Sequence, residues 1–174
     1  VLGGNMRLAA YPPGKGDITN MIRSYIHRCQ KDGVKIVMNC EVTPELIKEE
    51  KPDSVIIATG SKTLILPIEG IDNPAIIHGS DLLDGKRAAG KKVLVVGGGM
   101  VGCETAAFLG EQEHDVTVIE FRDTVGADVI HEHRVYLMKD FEDYGIKEIT
   151  GAKVCKFYED GVEYETADGV RHES

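Results

Sequence analysis

Residues 91–120, with the sequence KKVLVVGGGMVGCETAAFLGEQEHDVTVIE, constrain the fold of this chain more than any other stretch. The apolar run at 93–96 predicts a buried strand over 92–96, and the triple glycine after it predicts a tight turn. The sequence at 100–113 then predicts a helix, and the β-branched run at 116–120 predicts a second strand. A strand, a helix and a further strand form a βαβ unit, so the stretch predicts an α/β fold with a parallel sheet.

The glycines between the first strand and the helix have the spacing G-x-G-x-x-G at Gly97, Gly99 and Gly102. In this context the first glycine permits the turn, the second leaves room for a pyrophosphate, and the third lets helix and strand pack closely. The helix N-terminus adds unpaired N–H groups and a positive dipole end. The pattern therefore predicts a dinucleotide-binding site in a Rossmann-like three-layer domain. The residues assigned to this part of the site are Gly97, Gly98, Gly99, Met100, Val101 and Gly102.

An acidic residue, Glu120, closes the second strand 23 positions after Gly97. A carboxylate there accepts hydrogen bonds from the adenosine ribose and opposes a 2′-phosphate, which favours NAD(H) over NADP(H). Arg122 leaves NADP(H) open as an alternative, because an arginine at this position can pair with a 2′-phosphate. It can also be a solvated surface charge. A class I methyltransferase is disfavoured, since Val96 occupies the position where such glycine loops usually carry an acid.

The first third of the chain predicts a mixture of short elements. Paired glycines and prolines at 1–16 indicate an ordered loop, and apolar residues spaced by three and four predict a helix over 17–31 with one buried face. β-Branched content predicts strands at 34–38 and 54–58. Between them, a Thr-Pro pair predicts an N-cap and a short helix within 43–50.

The region after the second predicted strand divides into a connector and a longer α/β unit. Residues 61–90 are interrupted repeatedly by glycine and proline, so we place a boundary near Ala89. Beyond the βαβ unit, the sequence predicts a helix at 129–144 and a strand at 147–149. Asp-Gly pairs between Val-, Tyr- and Phe-rich runs then predict a small antiparallel meander at 153–174.

Charge and cysteine usage exclude several classes of protein. The formal net charge of −9 disfavours binding to nucleic acid and to anionic membranes, and no apolar run approaches the ~20 residues that span a bilayer. The four cysteines are widely spaced without a CxxC pair, which favours free thiols in a reducing cytoplasm. His131 and His133 face different sides of a helix, and the HExxH spacing is absent, so no metal site is predicted.

Four segments carry a resemblance to a known family: GGNMRLAAYPPGK at 3–15, VIIATGSK at 55–62, HGSDLL at 78–83 and VVGGGMVGCETA at 95–106. With these segments the chain resembles the C-terminal half of the NADH:flavin oxidoreductases related to Old Yellow Enzyme. The resemblance implies an FAD-binding domain interrupted by an NAD(P)H-binding domain. It also implies hydride transfer from nicotinamide to FAD, and an iron–sulfur cluster (4Fe-4S) and FMN in parts of the enzyme outside this chain.

Under this resemblance, residues 1–88 are part of the FAD-binding domain with a connector, and residues 89–174 are the NAD(P)H-binding domain without its last strand. Positions that match the FAD-side segments of the family are Gly4, Asn5, Val42, Ala58, Thr59 and Gly60. Glu104 matches an acid near the nicotinamide, or it is a first-turn glutamate favoured by the helix dipole. Cys103 is interpreted as a small buried helix residue rather than a redox thiol.

The resemblance also implies that the chain is a fragment whose missing FAD-domain and barrel segments belong to the parent enzyme. We therefore expect the isolated fragment to be inactive, and no catalytic residue is assigned. The sheet edges are either covered by the chain itself or paired with a second copy in a homo-oligomer. A non-catalytic dinucleotide-binding or interaction domain remains an alternative from a different functional class.

Overall fold

Two three-stranded sheets lie in the second half of the chain in the computed structural model, which describes residues 1–174. The strands are β1 (Lys92–Val96), β2 (Asp115–Ile119), β3 (Lys147–Ile149), β4 (Lys153–Phe157), β5 (Val162–Thr166) and β6 (Gly169–Glu173). The first sheet is parallel in the order β1-β2-β3, and the second is antiparallel in the order β4-β5-β6. The predicted α/β class and the predicted meander are both confirmed.

Five α-helices and one 3₁₀ helix complete the structure. They are the 3₁₀ helix Gly4–Ala10, α1 (Asp17–Lys31), α2 (Pro44–Glu50), α3 (Gly79–Leu83), α4 (Met100–Glu111) and α5 (His131–Asp143). The predicted cap is confirmed, since the Leu46 N–H donates to Thr43 Oγ1 at 3.3 Å. None of these helices combines the length and the apolar character needed to cross a lipid bilayer.

The main hydrophobic core lies between the parallel sheet and helices α4 and α5. Its fully buried members include Cys103, Ala106, Ala107, Leu109, Val116, Val118, Val125, Leu137 and Phe141. Helix α4 buries side chains on most of its faces, because it packs against β1, β2, α3 and α5. This burial fixes the start of α4 against the carboxyl ends of β1 and β2, where the glycine turn lies.

The predicted strands at 34–38 and 54–58 are wrong: neither run pairs with another strand. Ile56 and Ile57 are 91% and 83% exposed, although their β-branched side chains favour strands. A strand requires a hydrogen-bonded neighbour, and no strand of this chain pairs with either run. The two runs therefore have the residue composition of strands, but they lack a strand to pair with.

The structure also corrects two predictions about the N-terminal region. The predicted loop at 1–16 contains a 3₁₀ helix, Gly4–Ala10, which packs against α1. Helix α1 has its predicted bounds, but only Ile22 of its predicted apolar face is buried, while Met21 and Tyr25 are exposed. That face consists of Ile18, Met21, Ile22, Tyr25, Ile26 and Cys29. Helix α1 packs mainly against this 3₁₀ helix, and much of its apolar face stays exposed.

Candidate dinucleotide-binding site

The glycine turn joins β1 to α4 in a backbone conformation that side chains resist. Gly97 has a φ of +101°, and its N–H donates to the Ile119 carbonyl at 2.8 Å. A Cβ atom on Gly102 would lie 1.8 Å from the Gly97 carbonyl oxygen, so the first turn of α4 rests directly on the backbone of the loop. This geometry fits the roles expected of the first and third glycines in the motif.

The Glu120 side chain connects the end of β2 to the glycine turn. Its Oε2 atom accepts a hydrogen bond from the Gly98 N–H at 2.6 Å, and its Oε1 atom accepts one from the Arg122 N–H at 2.8 Å. An ionised carboxylate has about four acceptor positions, so two of them stay free for further donors. The structure thus orients Glu120 through two backbone contacts while leaving acceptor capacity on both oxygens.

A cavity of about 190 Å³ opens beside this carboxylate. Its lining residues are Gly98, Gly99, Glu120, Arg122, Thr124, Ala127 and Asp128. The cavity brings together four of the residues predicted from the sequence. Met100 and Val101 instead lie exposed at the start of α4, outside the lining.

Three lining residues, Thr124, Ala127 and Asp128, are not predicted by the sequence motif. They belong to the loop between β2 and α5, which has no glycine pattern or charge run to identify it. The loop is held over the glycine turn by a hydrogen bond of 2.6 Å from the Gly126 N–H to the Gly98 carbonyl. This tertiary contact brings the loop into the site.

The residues assigned to the FAD side are partly brought together. Asn5 Nδ2 donates to the Ser61 carbonyl at 3.1 Å and contacts Ser61 Oγ at 3.3 Å, which places Gly4 and Asn5 beside the segment 58–60. Ala58, Thr59 and Gly60 are exposed. Val42 is 67% exposed, belongs to no helix or strand, and does not line the cavity beside Glu120.

A cluster of charged and polar side chains that the sequence does not predict lies around the buried Glu104, near the start of α4. Glu104 is only 7% exposed, and its Oε1 atom accepts hydrogen bonds from the Lys15 ammonium and from His133 Nε2, the latter at 3.0 Å. Of the three residues, only Glu104 is identified as a candidate from the sequence. Lys15 lies 89 positions away from it and His133 lies 29 positions away, so no local pattern connects them. The cluster ties the N-terminal loop and α5 to the helix that carries the glycine turn, whereas His131 remains exposed.

Cys103 is completely buried, as predicted from its position in α4. Its thiol donates to the Gly98 carbonyl at 3.1 Å. Burial raises the pKa of the Cys103 thiol to about 11, so the thiol stays protonated near neutral pH. This residue therefore packs beneath the glycine turn and holds its backbone.

Comparison with known proteins places this geometry in a family. The family model for pyridine nucleotide-disulphide oxidoreductases matches residues 14–173. A bilirubin reductase from Mediterraneibacter gnavus is 32% identical over 168 residues, which cover 97% of this chain and 26% of that protein. An NADH oxidase from Thermoanaerobacter brockii is 34% identical over 92% of this chain and 25% of that protein.

A solved structure supports the same relationship. The complex of 2-naphthoyl-CoA reductase with 2-naphthoyl-CoA has a TM-score of 0.89 and 34% identity, over 99% of this chain and 26% of that chain. The chain thus spans about a quarter of the length of these relatives. The comparisons confirm the resemblance to the Old Yellow Enzyme-related flavoprotein reductases, and they support pyridine nucleotide and flavin as the cofactor classes. Since the family model covers nearly the whole sequence, the chain belongs to the pyridine nucleotide-disulphide oxidoreductase family.

Proposed function

We propose that this chain is the NADH-binding module of a flavin-dependent oxidoreductase, in which hydride passes from NADH to FAD in the complete enzyme. The observation that carries the proposal is the Glu120 carboxylate, anchored to Gly98 and Arg122 by backbone N–H groups at the edge of the cavity. In dinucleotide-binding folds, a carboxylate beside the glycine turn accepts hydrogen bonds from the adenosine ribose. The helix N-terminus beside it binds the pyrophosphate.

The residues of the site fit such a nucleotide. Gly99 and the start of α4 would hold the pyrophosphate, since a helix N-terminus offers N–H donors and a positive dipole end. Glu120 would accept hydrogen bonds from the ribose hydroxyls with its free lone pairs. When bound, the nicotinamide supplies the hydride chemistry, and the contribution of this chain is to bind and orient the cofactor.

We expect a preference for NADH over NADPH. The Glu120 charge opposes a 2′-phosphate, and the same carboxylate is aimed into the cavity by its two backbone contacts. Arg122 also lines the cavity, and its guanidinium would favour NADPH if it turned towards the ribose. Comparing the two nucleotides therefore separates the roles of Glu120 and Arg122.

The remaining part of the proposal concerns residues 1–88, which we assign to part of the FAD-binding domain and a connector, with 89–174 as the nucleotide domain. The contact between Asn5 and Ser61 supports this assignment, because it joins the two segments that match FAD-side positions of the family. FMN, the iron–sulfur cluster and the barrel would belong to other parts of the enzyme. Four free cysteines are consistent with a reducing cytoplasm, and homo-oligomerisation stays a prediction.

The proposal is tested by calorimetric titration of the 174-residue chain with NADH and, separately, with NADPH. Replacing Glu120 by Ala should weaken NADH binding by about tenfold or more, because a hydrogen bond to a charged group contributes ~1.5–3 kcal/mol. Gly99→Val should abolish binding by filling the approach to the turn. Glu159→Ala is the matched control, since it removes the same side chain from an exposed hairpin turn outside the cavity.

Circular dichroism of each variant establishes that the protein is folded before titration. Unchanged affinity in both Glu120→Ala and Gly99→Val, measured on folded proteins, would exclude this cavity as the nucleotide site. Failure of the folded wild-type chain to bind either nucleotide would reject the proposal for this chain.

A further inference from the structure

The carboxylate of Asp128 lies at the start of α4, within the cavity described above. The Met100 N–H donates to Asp128 Oδ1 at 2.9 Å. The other carboxylate oxygen lies 3.2 Å from the position that a Cβ atom would take on Gly99. The hydrogen bond from Gly126 to the Gly98 carbonyl holds the Asp128 loop in this position.

Asp128 acts as the cap that the glycine turn itself lacks. Gly99 is the N-cap residue of α4 and has no side chain to accept the first N–H groups of the helix. Asp128 supplies that acceptor from 28 positions further along the chain. A negative charge is also favoured at this helix end by the helix dipole.

The pyrophosphate of a dinucleotide requires the same N–H groups and the same dipole end. Two anions cannot accept the Met100 N–H together, and they repel one another at close range. The cavity already contains the Glu120 carboxylate, so a bound pyrophosphate would meet a second negative side chain in Asp128.

We propose that Asp128 is an internal competitor for the pyrophosphate position, which lowers the affinity of this site for dinucleotides. The proposal rests on the proposed function, since it concerns the same cavity. When a dinucleotide binds, the Asp128 side chain either turns away from Met100 or stays in place. If it stays, the Asp128 carboxylate and the pyrophosphate repel each other in the complex. Asp128 thus weakens nucleotide binding at the pyrophosphate, whereas Glu120 strengthens binding at the ribose and selects the nucleotide.

Two substitutions separate the charge of Asp128 from its capping role. Asp128→Asn keeps an oxygen acceptor for the Met100 N–H and removes the charge, so the unfolding midpoint should stay close to that of the wild type. NADH affinity should rise by about fivefold, the factor that corresponds to the ~1 kcal/mol repulsion of two unit charges 4 Å apart in water. Asp128→Ala should also bind NADH more tightly but unfold at a lower temperature, because it loses the cap.

Asp123→Asn is the matched control, because it makes the same change in net charge in the same loop but lies outside the cavity lining. Its NADH affinity should equal that of the wild type. Raising the salt concentration should narrow the difference between wild type and Asp128→Asn, since salt screens the repulsion of exposed charges.

The outcomes distinguish this inference from the proposed function. If the wild type binds NADH and Asp128→Asn binds it equally or more weakly, Asp128 does not compete and the inference is wrong. If only the Asp128 variants bind NADH, Asp128 competes as inferred, but the proposed function is rejected for the unsubstituted chain. If no folded variant binds NADH, the proposed function fails and the inference fails with it.

Discussion

Replacing Gly102 by Ala tests the contact on which the glycine turn depends. The added Cβ would lie 1.8 Å from the Gly97 carbonyl oxygen, roughly 1 Å closer than the 3.0 Å that real Cβ contacts almost never cross. The Cβ position is fixed by the backbone of Gly102 and its partner is a backbone oxygen, so no side-chain rotation relieves the overlap. The start of α4 must move away from β1, and the glycine turn must change shape.

The expected cost follows from two opposing contributions. Overpacking of a tight contact costs typically ~1–3 kcal/mol, and a backbone clash lies at the upper end of that range. Alanine gains ~1 kcal/mol over glycine within a helix. The net loss is therefore about 2 kcal/mol, which for a protein of this size lowers the unfolding midpoint by about 4–8 °C.

Thermal unfolding followed by circular dichroism measures this shift, and NADH titration measures the accompanying loss of affinity. Gly90→Ala is the matched control, because the nearest atom to its added Cβ is the Lys92 carbonyl oxygen at 4.0 Å. That variant should be as stable as the wild type or slightly more stable. A Gly102→Ala protein with the wild-type midpoint would refute the argument that α4 rests on the Gly97 backbone.

Two further predictions concern buried groups beside the turn. Replacing Lys15 by Met should destabilise the chain by about 1–3 kcal/mol in urea unfolding, because the buried Glu104 carboxylate keeps only His133 as a partner. Lys139→Met, which breaks an exposed ion pair, should stay within about 0.5 kcal/mol of the wild type, and equal effects would contradict the importance of the cluster around Glu104. The raised pKa of Cys103, about 11 in the folded state, predicts that stability falls as the pH rises from about 9 towards 11, because the unfolded thiol ionises first. Urea unfolding at pH 8 and pH 10 measures this loss, and Cys103→Ala should remove its share of the pH dependence.

The parts of the structure predicted correctly are those specified by neighbouring residues. The turn at 97–102, the cap at Thr43 and the meander from Lys153 each depend on residue types within a few positions of one another. Glycine conformation, capping and hairpin turns are local effects, so their sequence patterns carry over directly to structure.

The parts that the sequence did not predict depend on residues far apart in the chain. The runs at 34–38 and 54–58 have the composition of strands, but strand formation is decided by a neighbour that composition does not reveal. The sequence predicts Glu104 as a first-turn glutamate, but the first turn of α4 contains no acidic residue. Its partner Lys15 is identified only by the packing of the N-terminal loop. Asp128 reaches the site through a loop whose path is determined by tertiary contacts.

The strand order has a consequence for how the chain folds. In both sheets each strand pairs only with strands that precede or follow it directly in sequence. The entropy lost on closing a loop grows with its length, and chains rich in local contacts fold faster. Each new strand can therefore join a sheet as it emerges during synthesis, without waiting for a distant segment. Because the glycine turn lies between β1 and β2, the contact between Gly98 and Glu120 belongs to the first part of the sheet to assemble.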